Sequence, residues 1–223
     1  AMIAPRLKAA TIGWQHNCYD GYLHVKPVVF WQQENLLQQY LPNLDRYIVL
    51  SDYDKRDYME KLGIDCEVKI NPRSFVSEKK CDVKSKRFLM ATRFVYAKGL
   101  DLMMESFEEF CKEDSEWELD IIGDGDLFDQ IRADAKKRHL EKRVHFVGYT
   151  NEPEKYYLNS SVFLLPSRWE GWPMVIMEAF EFGLPVIAFH TGAMDLIIDD
   201  GKTGYLPEAF DTKKFTDAML KLA

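Results

Sequence analysis

From residue 86 onwards, short apolar runs alternate with amphipathic segments. The runs are Phe88–Ala91, Trp117–Ile122, Val144–Val147, Val162–Leu165 and Val186–Phe189, with a last short one at Gly204–Leu206. Runs of this length, bounded by turn residues, read as buried strands. Between and after them, Leu100–Cys111, Leu127–Arg138, Glu154–Leu158, a segment opening at Pro173 and ending at Gly183, and Thr212–Leu222 carry helical spacing. Proline at a first helical position and glycine just past the end fit the Pro173 segment. Strands that alternate with helices imply a parallel sheet wound on both faces, which binds ligands at the C-terminal ends of its strands.

The pattern is less regular before that point. Lys8–Gln15 reads as a strand that ends at His16-Asn17, and Tyr19–Lys26 reads as polar, aromatic and turn-like. Val28–Tyr40 reads as a short extended piece followed by a helix. Asp45–Leu50 is a buried strand, Ser51 with Asp52 caps a helix over Tyr53–Leu62, and Glu67–Ile70 is a strand closed by Asn71-Pro72. Val76–Ser85 is polar and reads as a linker. The expected division is therefore a partial α/β domain over residues 1–77 and a nearly complete doubly wound domain over residues 78–223.

Composition narrows the partners. The chain has 223 residues, 47% of them hydrophobic, enough for one large or two modest domains. A net charge of −7 with no basic stripe argues against nucleic acid, and an anionic ligand needs local cations. Cys18, Cys66, Cys81 and Cys111 lie far apart and in no metal-ligand spacing, so they read as reduced thiols. No apolar run approaches a membrane span, and no signal peptide is visible. The expected location is cytoplasmic, with peripheral contact at the inner membrane face included in that expectation.

The candidate chemistry centres on Pro166–Gly192, PSRWEGWPMVIMEAFEFGLPVIAFHTG. Glu170 falls in a loop after a strand. Glu178 follows with seven residues between them, one to two turns into the next helix. Both can then face a ligand held at the helix N-terminus, where backbone amides and the helix dipole favour an anion. The plainer alternative is a solvated loop glutamate beside a helix-surface glutamate. Arg93 and Lys98 flank the loop ATRFVYAKGLD and are the cations near the strand end there. IIGDGDL at Ile121–Leu127 is strand, glycine loop and helix, but lacks the third glycine of a dinucleotide fingerprint.

With the preceding strand, the proline and the G-L-P-V-I-A exit, Glu170 and Glu178 resemble the E-x7-E signature of retaining family 4 glycosyltransferases with the GT-B fold. That resemblance implies two Rossmann-like domains facing each other across a cleft. Residues 78–223 would be the C-terminal, donor-binding domain, and residues 1–77 the later part of the N-terminal, acceptor-side domain. It implies a hexosyl transfer from a nucleotide-diphosphate sugar, UDP-linked by expectation, to a glycan, lipid-linked or other hydroxyl acceptor, with retention of anomeric configuration. The catalytic residues would be Glu170, at the sugar, and His16, near the transferred sugar. The donor would be held by Arg93, Lys98, Gly123, Gly148, Tyr149, Trp172, Met174, Val175 and Glu178. Arg93 and Lys98 match the family's R…KG phosphate motif, Gly123 its G-x-G loop, Gly148 and Tyr149 the base, and Glu178 the ribose.

No cofactor and no obligatory metal are expected, because no His, Cys, Asp or Glu cluster has metal spacing. Asp195 in TGAMDL stands one position later than the family's usual acid and receives no role. The early strands and glycine-rich loop of the N-terminal domain have no counterpart in the sequence. That leaves a nucleotide-sugar-binding module without turnover as the alternative function. An incomplete first sheet also leaves Trp14, Phe30, Trp31 and Val28-Val29 uncovered, and a homodimer through that segment is the corresponding expectation.

Overall fold

The computed structural model describes residues 1–24 and 33–223. These form two compact units: Ala1–Pro72 with Trp169–Trp172, and Arg73–Arg168 with Pro173–Ala223. The readings at Val28-Val29, Phe30 and Trp31 lie outside the described residues. No helix among the described residues is long and apolar enough to cross a membrane.

In the first unit, β1 (Ile12–Trp14), β2 (Arg46–Val49) and β3 (Glu67–Val68) form a parallel sheet in that order. The helices are α1 (Tyr19–Leu23), α2 (Glu34–Tyr40) and α3 (Asp52–Leu62). Ser51 caps α3 by accepting from the Asp54 amide at 3.0 Å. Asp54 is itself buried, and its carboxylate accepts from Ser51 Oγ at 2.6 Å and from the Tyr19 amide at 2.8 Å. That second bond caps α1. The turn-like reading of Tyr19–Lys26 is therefore corrected: Tyr19–Leu23 is helical. Its cap comes from a side chain 35 residues away, and Tyr19 and Leu23 bury one face against Tyr58. Trp14 is 45% exposed, with its ring stacked on His16 at 5.2 Å.

In the second unit the strands are β4 (Arg87–Ala91), β5 (Glu118–Ile122), β6 (Val144–Gly148), β7 (Val162–Leu165), β8 (Val186–Ala188) and β9 (Gly204–Tyr205). The helices are α4 (Leu100–Glu113), α5 (Phe128–Lys137), α6 (Glu154–Leu158), α7 (Met174–Glu181) and α8 (Thr212–Leu222). All strand pairs are parallel, in the order β6-β5-β4-β7-β8-β9. This is the doubly wound arrangement, and the winding reverses between β4 and β7.

Alternation along β4 builds two cores. Phe88 and Met90 meet α4, α5 and α8 through Phe107, Ile131 and Phe215. Leu89 and Ala91 face the opposite way, toward Tyr157, Ile176 and Ala179 of α6 and α7. Because both faces are covered, the strands read as continuous apolar runs.

The stretch read as a linker has no helix or strand, yet it is fastened to the second unit. Ser77 donates its amide to Glu181 Oε1 at 2.9 Å, Cys81 to the Phe182 carbonyl at 2.8 Å and Asp82 to the Leu158 carbonyl at 2.8 Å. The Phe75 ring lies 5.5 Å from Phe182. These bonds explain why the second unit begins at Arg73.

Candidate functional site

The ends of β4, β5, β6 and β7 carry the second unit's candidate residues. After β4 the chain enters a loop whose centre is pinned from below. Phe94 is fully buried, packs on Phe128 at 4.8 Å, donates its amide to Asp124 O at 2.9 Å and accepts from the Leu127 amide at 2.9 Å. Arg93, beside it, is exposed and has no ion-pair partner among the described residues. Lys98 is half-buried at the end of the same loop.

Two glycines permit this close packing. At Gly99 (φ +62°) a Cβ would stand 1.9 Å from the Pro166 carbonyl oxygen, and at Gly123 (φ +124°) 1.8 Å from the Thr92 carbonyl oxygen. Both positions therefore demand glycine twice over, for conformation and for space. Gly123 also donates its amide to the Gly148 carbonyl at 2.9 Å, joining the loops after β5 and β6. Tyr149, the next residue, is 77% exposed.

Beyond β7, Pro173 stands at the N-cap of α7 rather than at its first helical position. Its carbonyl accepts from the Ile176 amide at 3.1 Å. Met174 and Val175 thus open the helix, where amides have no intrahelical acceptor. Glu178 is half-buried and accepts the Tyr157 phenol O–H at 3.0 Å. Burial pushes its carboxyl above the ordinary range, and the Tyr157 bond opposes that shift. Glu178 and Tyr157 line a groove of 760 Å³ together with Phe75, Ser77, Asn151 and Phe182.

His16, Glu170 and Trp172 belong to the first unit. A Cβ on Gly171 would stand 2.5 Å from the His16 carbonyl oxygen, and one on Gly21 would stand 2.3 Å from the Trp169 ring. The Glu170 loop and the chain around His16 are therefore in backbone contact. Glu170 is buried, His16 is exposed, and the Trp172 indole N–H is buried without an acceptor among the described residues. No group of three or more His, Cys, Asp or Glu among the described residues is placed to hold a metal ion.

Sequence reasoning missed two side chains. Arg168, in the loop just past β7, is a third cation beside the Arg93–Gly99 loop. It pairs with Asp101 at 2.6 Å, donates to the Tyr96 carbonyl at 2.8 Å and lies over the Tyr96 ring at 4.0 Å. Its amide donates to the Ala97 carbonyl at 2.8 Å. Its place inside the SRWEGW stretch was the available signal, and its engagement by Asp101 makes it a brace. Tyr157 was the other; nothing local to α6 marks it.

Proteins of known sequence and structure resemble this arrangement. An uncharacterized glycosyltransferase of Haemophilus influenzae is 29% identical over 167 residues, 74% of this chain and 47% of the relative. The poly(ribitol-phosphate) alpha-N-acetylglucosaminyltransferase of Staphylococcus aureus is 28% identical over 203 residues, 86% of this chain and 40% of the relative. The chain thus spans less than half the length of either. The crystal structure of TarM from S. aureus superposes with a TM-score of 0.83 at 24% identity, over 96% of this chain and 43% of that one. The pneumococcal O-GlcNAc transferase GtfA, solved with UDP and GlcNAc, gives 0.79 at 22%, over 99% of this chain and 47% of that one. Both likenesses bear out the Rossmann-like GT-B fold. Residues 74–223 match the family of glycosyl transferases group 1 throughout, and the chain belongs to that family.

Proposed function

We infer that this chain carries the nucleotide-sugar-binding part of a glycosyltransferase. The reaction is transfer of a hexosyl residue from a nucleoside-diphosphate sugar, UDP-linked, to a hydroxyl of a glycan or similar acceptor, with retention. One observation carries this reading. An exposed Arg93 without an ion-pair partner among the described residues and the neighbouring Lys98 sit on the loop after β4 at the reversal of the sheet, which packs through Gly99 against Pro166. Relatives support the choice of donor, since TarM and GtfA were each solved with UDP and one relative from Escherichia coli is named as a UDP-Gal-dependent galactosyltransferase.

In this mechanism the bond from the anomeric carbon to the diphosphate oxygen breaks, and its electron pair leaves on the phosphate. Arg93, Lys98 and the first amides of α7 at Met174 and Val175 stabilise that charge without reorganising. The acceptor oxygen bonds to the anomeric carbon on the face the phosphate departs from, and its proton passes to a phosphate oxygen. Glu170 holds the sugar hydroxyls and supports the positive charge developing on the ring. His16 donates to the sugar or the phosphate, and the Trp172 N–H is a further donor. Glu178 accepts from the ribose hydroxyls. Gly123 and Gly148 present bare backbone to the donor, and Tyr149 stacks on the base. No step requires a metal.

The test is calorimetry with UDP, UDP-glucose and UDP-N-acetylglucosamine, followed by assays of donor hydrolysis and transfer. Micromolar to millimolar binding of UDP with slow donor hydrolysis is expected. Binding without hydrolysis or transfer would make the chain a nucleotide-sugar-binding module. No binding of any nucleotide would remove both readings.

A further inference from the structure

Tyr157 is fully buried, and its ring lies between two aromatic neighbours. Phe163 of β7 is stacked at 5.8 Å and 10°, and Phe182, just past α7, at 5.2 Å and 21°. A phenol packed in this way cannot change rotamer without opening the core it belongs to. Its O–H points to Glu178 Oε2 at 3.0 Å. Burial and the facing carboxylate hold its ionisation far above the ordinary range, so at any working pH it is a donor. A carboxylate with one oxygen held by a fixed donor has its plane set. Its other oxygen can then meet two vicinal hydroxyls without losing rotamer freedom on binding.

We propose that Tyr157 is a positioning residue for ribose recognition: its O–H sets the Glu178 carboxylate so that Oε1 receives the 2′- and 3′-hydroxyls, and it thereby fixes the preference for ribose over deoxyribose. The inference rests on the assignment of Glu178 to the ribose, and the experiment separates the two. Calorimetry on the full chain compares UDP with 2′,3′-dideoxy-UDP in the parent protein, Tyr157→Phe and Glu178→Gln. Phenylalanine keeps the ring stack and removes only the hydroxyl.

The parent should prefer UDP by about tenfold or more, the range for hydrogen bonds to a charged group. Tyr157→Phe should cut that preference by about threefold or more, while affinity for the dideoxy ligand stays within about twofold. Equal weakening of both ligands by Tyr157→Phe would mean a merely structural tyrosine and would overturn the proposal. So would an unchanged preference in Tyr157→Phe beside a lost one in Glu178→Gln, which leaves the ribose assignment standing. A preference retained in Glu178→Gln would remove the ribose assignment, and the role of Tyr157 with it. If UDP does not bind, the guanosine and adenosine pairs are run, and no binding of any of them removes both.

Discussion

Around Arg93 the side-chain charge is exposed and the backbone beneath it is rigid. Around Glu178 the charge is half-buried, and a neighbouring side chain does the holding. The first region is fixed by glycines against carbonyls and by the Phe94 and Arg168 bonds. The second is fixed by the Tyr157 O–H inside an aromatic stack. An exposed cation is screened by salt. A half-buried carboxylate is desolvated, and its ionised form is disfavoured until a ligand supplies hydrogen bonds. The proposed function assigns the first arrangement to an anion and the second to a diol.

The largest expected effect breaks the rigid side of that contrast. Gly123→Ala places a Cβ 1.8 Å from the Thr92 carbonyl oxygen at φ +124°. It should destabilise the second unit by roughly 3 kcal/mol, as backbone strain plus a forced shift, measured by denaturant unfolding. Near-parent stability would mean that the loop is not rigid. Next, Arg93→Ala and Lys98→Ala should each weaken UDP binding by about 1.5–3 kcal/mol, with the parent's affinity falling as salt rises. Parent-like calorimetry in both variants would dissociate the loop from the phosphate.

A smaller effect distinguishes the two glutamates. Glu178→Gln should weaken UDP and the UDP-sugar alike, by about 1–2 kcal/mol, whereas Glu170→Gln should spare UDP and weaken only the sugar donor. Equal losses for both ligands in both variants would contradict the assignments.

The smallest effect is on the pH dependence of stability and binding. The Glu178 carboxyl titrates above its ordinary value in the folded chain. The folded state therefore binds more protons than the unfolded state between the two values, and stability falls as pH rises through that window. Ionised Glu178 is thus a burden on the ligand-free protein. Glu178→Gln should raise its melting temperature at pH 8 while weakening nucleotide binding. UDP affinity should be complete at high pH and decline as pH falls through the raised value. That decline should begin at higher pH in Tyr157→Phe, which lacks the hydrogen bond that lowers it. Lys79, Glu152, Glu154 and Lys155 line the same groove, so the profile is compared with that of Glu178→Gln, in which this limb should vanish. A melting temperature lowered by Glu178→Gln would mean that ionised Glu178 stabilises the ligand-free fold.

Much of this was legible in the sequence wherever the cause is local. Strand β7 and helices α6 and α8 fall on the residues expected of them, and Ser51 caps α3, because apolar runs, caps and breakers act over a few neighbouring positions. The glycines beside the candidate site could be read as turns. Their true constraint, a carbonyl from another strand's loop at Gly99 and Gly123, could not.

What tertiary structure alone decided are pairings between distant residues. Asp54 caps α1 from 35 positions away, Tyr157 meets Glu178, and Arg168 closes on Asp101. In the second unit these meetings depend on β4 lying beside β7 and on α6 and α7 sharing one face of the sheet. The hydrophobic pattern specifies that such a sheet forms. Which side chain then stands opposite which is set by strand order and packing, and those exist only once the core has closed.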